Sequence, residues 1–167
     1  KANIARIAVA LFGGTANSLL FKNVREKLSL CYYCSAAYDR ISGMMMVDSG
    51  VEAPNAEKAR DEVLHQLELL QQGQFTDLSG VFPTDDAALE RFCKLYIRTA
   101  LKATTDSLGA MDSWYLTQNL GQSQVSPDGE IALSEQVTRE EIIEVANNIK
   151  LDTVYMLMPN EQEKEGE

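Results

Sequence analysis

The chain has 167 residues, of which 45% are apolar and 24% are charged, and its formal net charge is −10. This length and apolar content suit one globular domain with a buried core. The acidic balance argues against nucleic acid as a partner, because proteins bind a phosphate backbone mainly through cationic side chains that release its counterions.

The composition also bears on cellular location. No stretch approaches the ~20 consecutive apolar residues of a membrane span, and no basic segment followed by an apolar one indicates a signal peptide. Three cysteines form no regular framework for disulfide bonds, which favours a reducing compartment. The cytoplasm is therefore the expected location, and no membrane partner is expected.

The first third of the chain predicts two helices and a β-hairpin. Residues 2–11 carry apolar side chains at helical spacing, and the glycine pair at 13–14 is expected to end or kink that helix. A second helix is predicted to come next and to reach about Leu28. Its candidate N-cap residues are Thr15, Asn17 and Ser18. Strands are predicted over 30–38 and 44–51, joined by a turn.

The remainder of the chain predicts mostly helices. They are predicted over residues 55–72, 85–105, 110–120, 129–136 and 138–148. Gly73 is expected to close the first of these, and a Ser/Thr-x-x-Glu capping box at Thr138 begins the last. A final strand is predicted over 150–158, and the acidic residues 160–167 are expected to form a disordered tail. Residues 1–159 are then a single α+β domain whose antiparallel or mixed sheet packs against several helices.

A catalytic metal site cannot be built from this sequence by the usual helical motifs. The chain has one histidine, His65, so a His-Glu-x-x-His or His-x-x-Glu-His pair of zinc ligands is impossible within it. His65 is expected to be an exposed helix residue. Cys31 and Cys34 form a lone Cys-x-x-Cys, but residues three apart on a strand face opposite sides, so structural cysteines are favoured.

One pair of residues suggests chemistry. Arg25 falls in the last turn of the second predicted helix, and Tyr32 falls at the start of the first predicted strand, so both can point at one spot. Each also has a structural interpretation. A cation near a helix C-terminus complements the helix dipole, and tyrosine is common in strands. From the residues alone, both interpretations stay open.

The sequence around this pair resembles the signature of the pitrilysin/insulinase-type zinc metallopeptidases, which include processing-peptidase-like proteins. The resemblance rests on Ser-Leu-Leu-Phe at 18–21 and on Val-Arg-Glu-Lys-x-x-Leu-x-Tyr at 24–32. In that family the pattern lies in the second, non-zinc domain of a homologous pair. Later segments of the chain also look like this domain. Ser29 departs from the pattern, since the family usually has glycine there, and the strand expected before the first helix is missing, as in a truncated domain.

The resemblance implies one half of a split active site. In such enzymes one domain carries His-x-x-Glu-His, whose zinc polarises the scissile carbonyl. The other domain presents an Arg/Tyr pair across the cavity. By match of position, Arg25 would hold substrate carbonyls and Tyr32 would donate a hydrogen bond to the developing oxyanion. No cofactor is expected in this chain. Zinc is expected in a homologous partner domain, on the same chain or another subunit, and the substrate would be a peptide.

Three hypotheses arise from this resemblance. The leading one is the C-terminal, non-zinc domain of a zinc metalloendopeptidase, a fragment of a larger hydrolase that is inactive alone because His-x-x-Glu-His is absent. The second is a non-catalytic subunit or a scaffold or assembly protein of the same fold. The third is a plain α+β interaction module. The presence of both Arg25 and Tyr32 favours the first hypothesis.

Overall fold

The computed structural model describes residues 2–75, 95–96, 98–100, 103–104, 107–121 and 125–159. Within these ranges the chain has the predicted α+β fold, with an antiparallel hairpin packed against helices. The first elements in chain order are helix α1 (Ala2–Val9), a π-turn (Ala10–Gly14), a π-helix (Leu20–Lys27), strand β1 (Tyr33–Asp39) and strand β2 (Met44–Gly50). They are followed by a 3₁₀ turn (Ala53–Asn55), α2 (Ala56–Gln71), α3 (Leu108–Leu120), α4 (Pro127–Glu135) and α5 (Arg139–Asn147).

The hairpin buries one face and leaves the other in solvent. Side chains alternate between the two faces of a strand, so Cys34 and Ala36 of β1 are buried while their neighbours are exposed. In β2 the side chain of Met45 packs against the core, whereas Met44 and Met46 are 64% and 66% exposed. The methionine run therefore lies in a half-buried strand.

The core lies between α1, the π-turn, the π-helix and the inner face of the hairpin. Its largest fully buried apolar side chains are Ile7, Leu11, Phe12, Leu19, Leu20, Val24, Leu70, Phe75 and Ile142. Gly13 lets the π-turn approach β1 closely, because a Cβ on Gly13 would lie 2.7 Å from both Cβ and the backbone nitrogen of Ala36. Gly13 is thus required for the close packing of the π-turn on β1, while α1 itself ends at Val9.

Several predicted helix ends are confirmed. The Ser18 Oγ accepts a hydrogen bond from the Phe21 amide at 3.3 Å, which is the pattern of an N-cap. Thr138 and Glu141 form the predicted reciprocal capping box at the start of α5. Gly73 comes after α2 with a φ of +73°, the left-handed conformation that favours glycine at this position.

A buried ionic cluster joins the tip of the hairpin to three helices. Glu130 of α4 is 1% exposed and accepts hydrogen bonds from Arg6 at 2.8 Å and from Arg40 at 2.7 Å. The Gln118 amide of α3 donates to the same carboxylate at 3.0 Å. The Arg6 guanidinium in turn lies 5.8 Å from the centre of the Trp114 ring. We call these five residues the Glu130 cluster; no motif or spacing in the chain indicates it.

The predicted final strand is wrong. Residues 151–159 have no regular secondary structure, and within the described ranges they pair with neither β1 nor β2. A strand needs a hydrogen-bonded neighbour, and an apolar, strand-like sequence cannot supply one by itself. As a result Leu151, Tyr155 and Leu157 are 59%, 83% and 86% exposed.

Two other predictions fall wholly or partly outside the described residues. Of the predicted helix over 85–105, the described residues 95–96, 98–100 and 103–104 are helical. The predicted tail at 160–167 lies outside the described ranges. None of the helices in those ranges combines the length and the apolar content needed to cross a bilayer.

Candidate functional site

Arg25 lies in the last turn of the π-helix, and three contacts hold its side chain. The Arg25 Nε donates a hydrogen bond to the backbone carbonyl of Tyr32 at 2.9 Å. Its guanidinium lies 4.6 Å from the centre of the Phe21 ring, and its Nη1 is 3.3 Å from a carboxylate oxygen of Glu26. These contacts fix the stem of Arg25 while leaving its side chain 39% exposed. The guanidinium therefore keeps donors available to a ligand.

A left-handed turn brings the chain from Arg25 back to Tyr32. Ser29 has a φ of +50°, a conformation that costs an L-residue about 1–2 kcal/mol and that glycine adopts freely. The amide of Leu30 donates to the carbonyl of Val24 at 3.0 Å, which closes the turn. The turn geometry thus persists with serine at the position where the resemblance leads one to expect glycine.

Tyr32 lies directly before β1, at the open end of the hairpin. Its amide donates to the carbonyl of Gly50 at 2.8 Å, so its backbone extends the ladder by one residue. Its side chain is 67% exposed, and its hydroxyl donates to the carboxylate of Glu52 at 2.7 Å. The hydrogen bond to Glu52 and the negative charge of that carboxylate raise the pKa of Tyr32 above its ordinary value. Tyr32 therefore stays protonated and can act as a hydrogen-bond donor.

Sequence reasoning missed Glu52. It lies 20 residues from Tyr32 in sequence, and no motif connects the two. The hairpin register supplies the connection, because Tyr33 pairs with Gly50 and the chain beyond each strand end must then run close together. Extending the register of the predicted hairpin by two residues would have brought Glu52 close to Tyr32, and this was the available signal.

Arg25 and Tyr32 line the same pocket, as their spacing predicted. The pocket is open to solvent and has a volume of about 440 Å³. Its lining residues are Arg25, Glu26, Ser29, Leu30, Cys31, Tyr32, Glu52 and Asn55. The pocket thus combines one guanidinium, one phenol and two carboxylates, a set that can bind polar groups of a chain lying across it.

The π-helix is held in place from behind by a buried polar contact. The Asn23 amide donates to the Gln66 side chain of α2 at 2.7 Å, and Gln66 donates to Glu62 at 2.6 Å. Asn23 and Gln66 are 5% and 3% exposed. Because buried polar groups are costly unless paired, this contact fixes the π-helix against α2 and so fixes the position of Arg25.

Neighbouring residues of the site differ from expectation. Tyr33, the residue after Tyr32, is 49% exposed because β1 places Cys34 on its buried face. Burial raises the pKa of the Cys34 thiol to about 11, and the nearby Cys31 thiol contributes in the same direction. Cys31 precedes the first residue of β1 and packs against the same core as Cys34, so strand alternation does not place the two side chains on opposite faces. A neutral, buried Cys34 thiol is consistent with a structural role.

The described part of the chain does not fit a metal ion. It contains no group of three or more His, Cys, Asp or Glu side chains arranged to hold one. The His65 side chain is 55% exposed on α2, as predicted, and its nearest acidic neighbour is Glu68 at 4.0 Å. The catalytic zinc that the family resemblance implies thus has no ligand set in these ranges.

Comparison with known sequences finds one family model and two curated relatives that resemble the chain. Residues 4–79 match the family model described as the peptidase M16 inactive domain. A Bacillus subtilis protein described as "Probable inactive metalloprotease YmfF" is 34% identical over 151 residues, covering 90% of this chain and 33% of that protein. A Rickettsia felis protein described as "Uncharacterized zinc protease" is 26% identical over 149 residues, covering 89% of this chain and 31% of that protein. The chain spans about a third of the length of these curated relatives.

Solved structures show the same fold. A conserved protein from Enterococcus faecalis superposes with a TM-score of 0.67 at 29% identity, over 87% of this chain and 32% of that one. A protease from Helicobacter pylori superposes with a TM-score of 0.68 at 16% identity, over 88% of this chain and 34% of that one, which is evidence of fold alone. The α+β architecture is thus shared with both of these solved proteins. Residues 4–79 thus match the inactive domain of the peptidase M16 family, and the names of both curated relatives are consistent with the pitrilysin-like peptidases.

Proposed function

We propose that this chain is the non-zinc half of a zinc metalloendopeptidase site and supplies Arg25 and Tyr32 to bind an extended peptide. The observation that supports this proposal is the open pocket that Arg25 and the protonated Tyr32 both line. In the proposal, residues 1–159 act as one domain, and a homologous domain carrying His-x-x-Glu-His faces this pocket and holds the zinc. The inactive domain of the peptidase M16 family normally pairs with an N-terminal domain of the same family, and the proposal assigns the zinc to that partner.

Arg25 would act as the substrate clamp. Its Nε is bonded to the Tyr32 carbonyl and its Nη1 is paired with Glu26, so the group is already oriented before a ligand arrives. The remaining N–H donors are available for backbone carbonyls of a peptide. Holding the peptide in a fixed position near the reacting groups lowers the entropic part of the barrier.

Tyr32 would act on the developing charge. When water attacks a peptide carbonyl, negative charge develops on the carbonyl oxygen, and a fixed donor near that oxygen stabilises the transition state. Tyr32 is protonated and exposed at the pocket rim, as such a donor must be. Its hydroxyl would share this role with the zinc of the partner domain.

The test is peptide cleavage by this chain paired with its zinc-binding domain. Tyr32→Phe is expected to lower kcat/KM by about 100-fold or more, the size of the loss when one oxyanion donor is removed. Tyr33→Phe is the matched control, since Tyr33 is also exposed and also hydrogen-bonded to a carboxylate, that of Asp48. Equal activity of the two variants would refute the role of Tyr32.

Arg25 is tested in the same assay with its own control. Arg25→Ala is expected to reduce kcat/KM comparably. Arg60→Ala is the matched control, because Arg60 is 38% exposed and pairs with the adjacent Asp61 much as Arg25 pairs with Glu26. The chain alone should show no cleavage, with or without added zinc.

A second candidate function is a non-catalytic subunit or scaffold of the same fold. It is favoured by the name of the Bacillus subtilis relative, which describes that protein as an inactive metalloprotease. This function predicts that pairing with any zinc-binding domain gives no peptide cleavage, while the paired complex still forms in size-exclusion chromatography.

A further inference from the structure

We propose that Glu52 is an autoinhibitory partner of Tyr32, because it accepts the one hydroxyl hydrogen that the pocket would otherwise offer to a ligand. The inference rests on the proposed function of Tyr32 as a donor and identifies a residue that regulates it. A phenol has one proton to donate, and in this structure the Tyr32 hydroxyl donates that proton to Glu52.

The contact is strong for an exposed pair. The distance of 2.7 Å between the Tyr32 hydroxyl and the Glu52 carboxylate lies in the range of charge-assisted O–H···O⁻ hydrogen bonds. Rotating the proton away would leave the phenol oxygen with its lone pairs facing a carboxylate at that distance, which is repulsive. The hydroxyl therefore cannot serve another acceptor unless Glu52 moves or is neutralised.

Hydrogen bonds hold the backbones of Tyr32 and Glu52 in place. Tyr32 is fixed by the hydrogen bond from its amide to Gly50 and by the hydrogen bond that its carbonyl accepts from Arg25. The carbonyl of Glu52 accepts from the Asn55 amide at 2.8 Å, so Glu52 caps the 3₁₀ turn before α2. The Tyr32 ring is 67% exposed and is anchored at its tip by Glu52. The side-chain contact is thus the part of this arrangement that is free to change.

The charged groups around Tyr32 do not relieve the competition. The Nε of Arg25 donates to the Tyr32 carbonyl and its Nη1 pairs with Glu26, whereas the Tyr32 hydroxyl is bonded to Glu52. Asn55 and Glu52 face the pocket from the 3₁₀ turn, and Asp48 of β2 is engaged by Tyr33. Among the described groups, Glu52 is the acceptor that receives the Tyr32 proton.

The substitution Glu52→Gln separates the two possible roles of this residue. A glutamine amide can donate to the phenol oxygen, which retains the anchor of the ring and releases the Tyr32 proton. If Glu52 competes for the proton, Glu52→Gln should raise kcat/KM of the paired enzyme by about 3- to 10-fold, the difference between a charged and a neutral hydrogen bond. If Glu52 instead supports catalysis by orienting Tyr32, the same variant should lower kcat/KM, and the inference is overturned.

A second measurement uses this chain alone and needs no activity. Labelling tyrosine with ¹³C at Cζ and titrating by NMR gives the pKa of each tyrosine, with Tyr32→Phe assigning the resonance. Glu52→Gln should return the raised pKa of Tyr32 to the ordinary range, whereas Asp48→Asn, the matched control at Tyr33, should leave it unchanged. A Tyr32 pKa in the ordinary range in both the parent chain and Glu52→Gln would show that the contact is absent in solution.

The two measurements also separate this inference from the proposed function. If the NMR titration shows the contact but Tyr32→Phe has full activity, the proposed function fails while the hydrogen bond stands. If Tyr32→Phe is impaired but Glu52→Gln neither raises activity nor shifts the Tyr32 titration, Tyr32 keeps its role and the autoinhibitory contact is refuted.

Discussion

Removal of the charge of Glu130 should destabilise the whole domain. The carboxylate is 1% exposed and receives two guanidinium groups, from Arg6 and Arg40, whose side chains are 28% and 14% exposed. Breaking a fully buried ion pair typically costs about 3–5 kcal/mol, because the remaining charge is left uncompensated. Both arginines retain some contact with water, so we expect Glu130→Gln to lower the free energy of unfolding by about 2–4 kcal/mol.

The assay is urea unfolding followed by two probes. Trp114 is the only tryptophan of the chain and lies beside Arg6, so its fluorescence reports on the Glu130 cluster, while circular dichroism reports on the helices. Coincident transitions would justify a two-state analysis. For a chain of this size the same change should lower Tm by roughly 4–16 °C.

The control for this prediction is a matched change of charge at the surface. Glu68→Gln removes a carboxylate that is 67% exposed on α2 and should alter the unfolding free energy by less than about 0.5 kcal/mol. A loss in Glu130→Gln no larger than that of the control would refute the reasoning. It would mean that the Glu130 cluster is hydrated in solution and contributes little to holding the hairpin against the helices.

Three further predictions test the packing around the site, each by chemical unfolding. Gly13→Ala should destabilise the domain by about 2 kcal/mol or more because its methyl group meets backbone, whereas Gly109→Ala, which meets nothing within 4 Å, should stabilise it by about 0.5–1 kcal/mol. Ser29→Gly should stabilise by about 0.5–1 kcal/mol, since relief of the left-handed strain exceeds the added entropy of the unfolded chain, and a loss would contradict this. The pKa of Cys34 is about 11 in the folded chain, above its value in the unfolded chain. The neutral, buried thiol therefore stabilises the fold fully at neutral pH, and this stabilisation is lost as pH rises from about 9 to 11. The difference in stability between Cys34→Ala and the parent should therefore shrink over that range, and a constant difference would argue against the raised pKa.

The sequence was informative wherever a local pattern decides the structure. Helix ends at Ser18, Gly73 and Thr138 were predictable because capping depends on residue types within one turn. The shared pocket of Arg25 and Tyr32 was predictable because seven residues separate a helix end from a strand start, which is short enough for local geometry to govern.

The features that could not be predicted depend on distant contacts. Glu130 bonds Arg6 across 124 residues and Arg40 across 90, and an isolated glutamate in a helix gives no sign of burial. Glu52 reached the site only through the hairpin register. The strand predicted at 150–158 failed for the related reason that strand formation requires a neighbour that local sequence does not specify.

The π-helix has a consequence for how the site tolerates insertions and deletions. Its hydrogen bonds span one residue more than those of an α-helix, as in the bond from the Leu28 amide to the Asn23 carbonyl at 3.1 Å. An α-helix turns by about 100° per residue, and a π-turn holds about one residue more for nearly the same rotation, so deleting one residue between positions 20 and 24 would allow ordinary winding and leave the later residues facing nearly as before. Restoring ordinary winding without a deletion would instead rotate Arg25 by about 100°, away from Tyr32, although every side chain of the pocket remained in the sequence. The wide winding thus makes the length of this segment, and not only its composition, a determinant of the site.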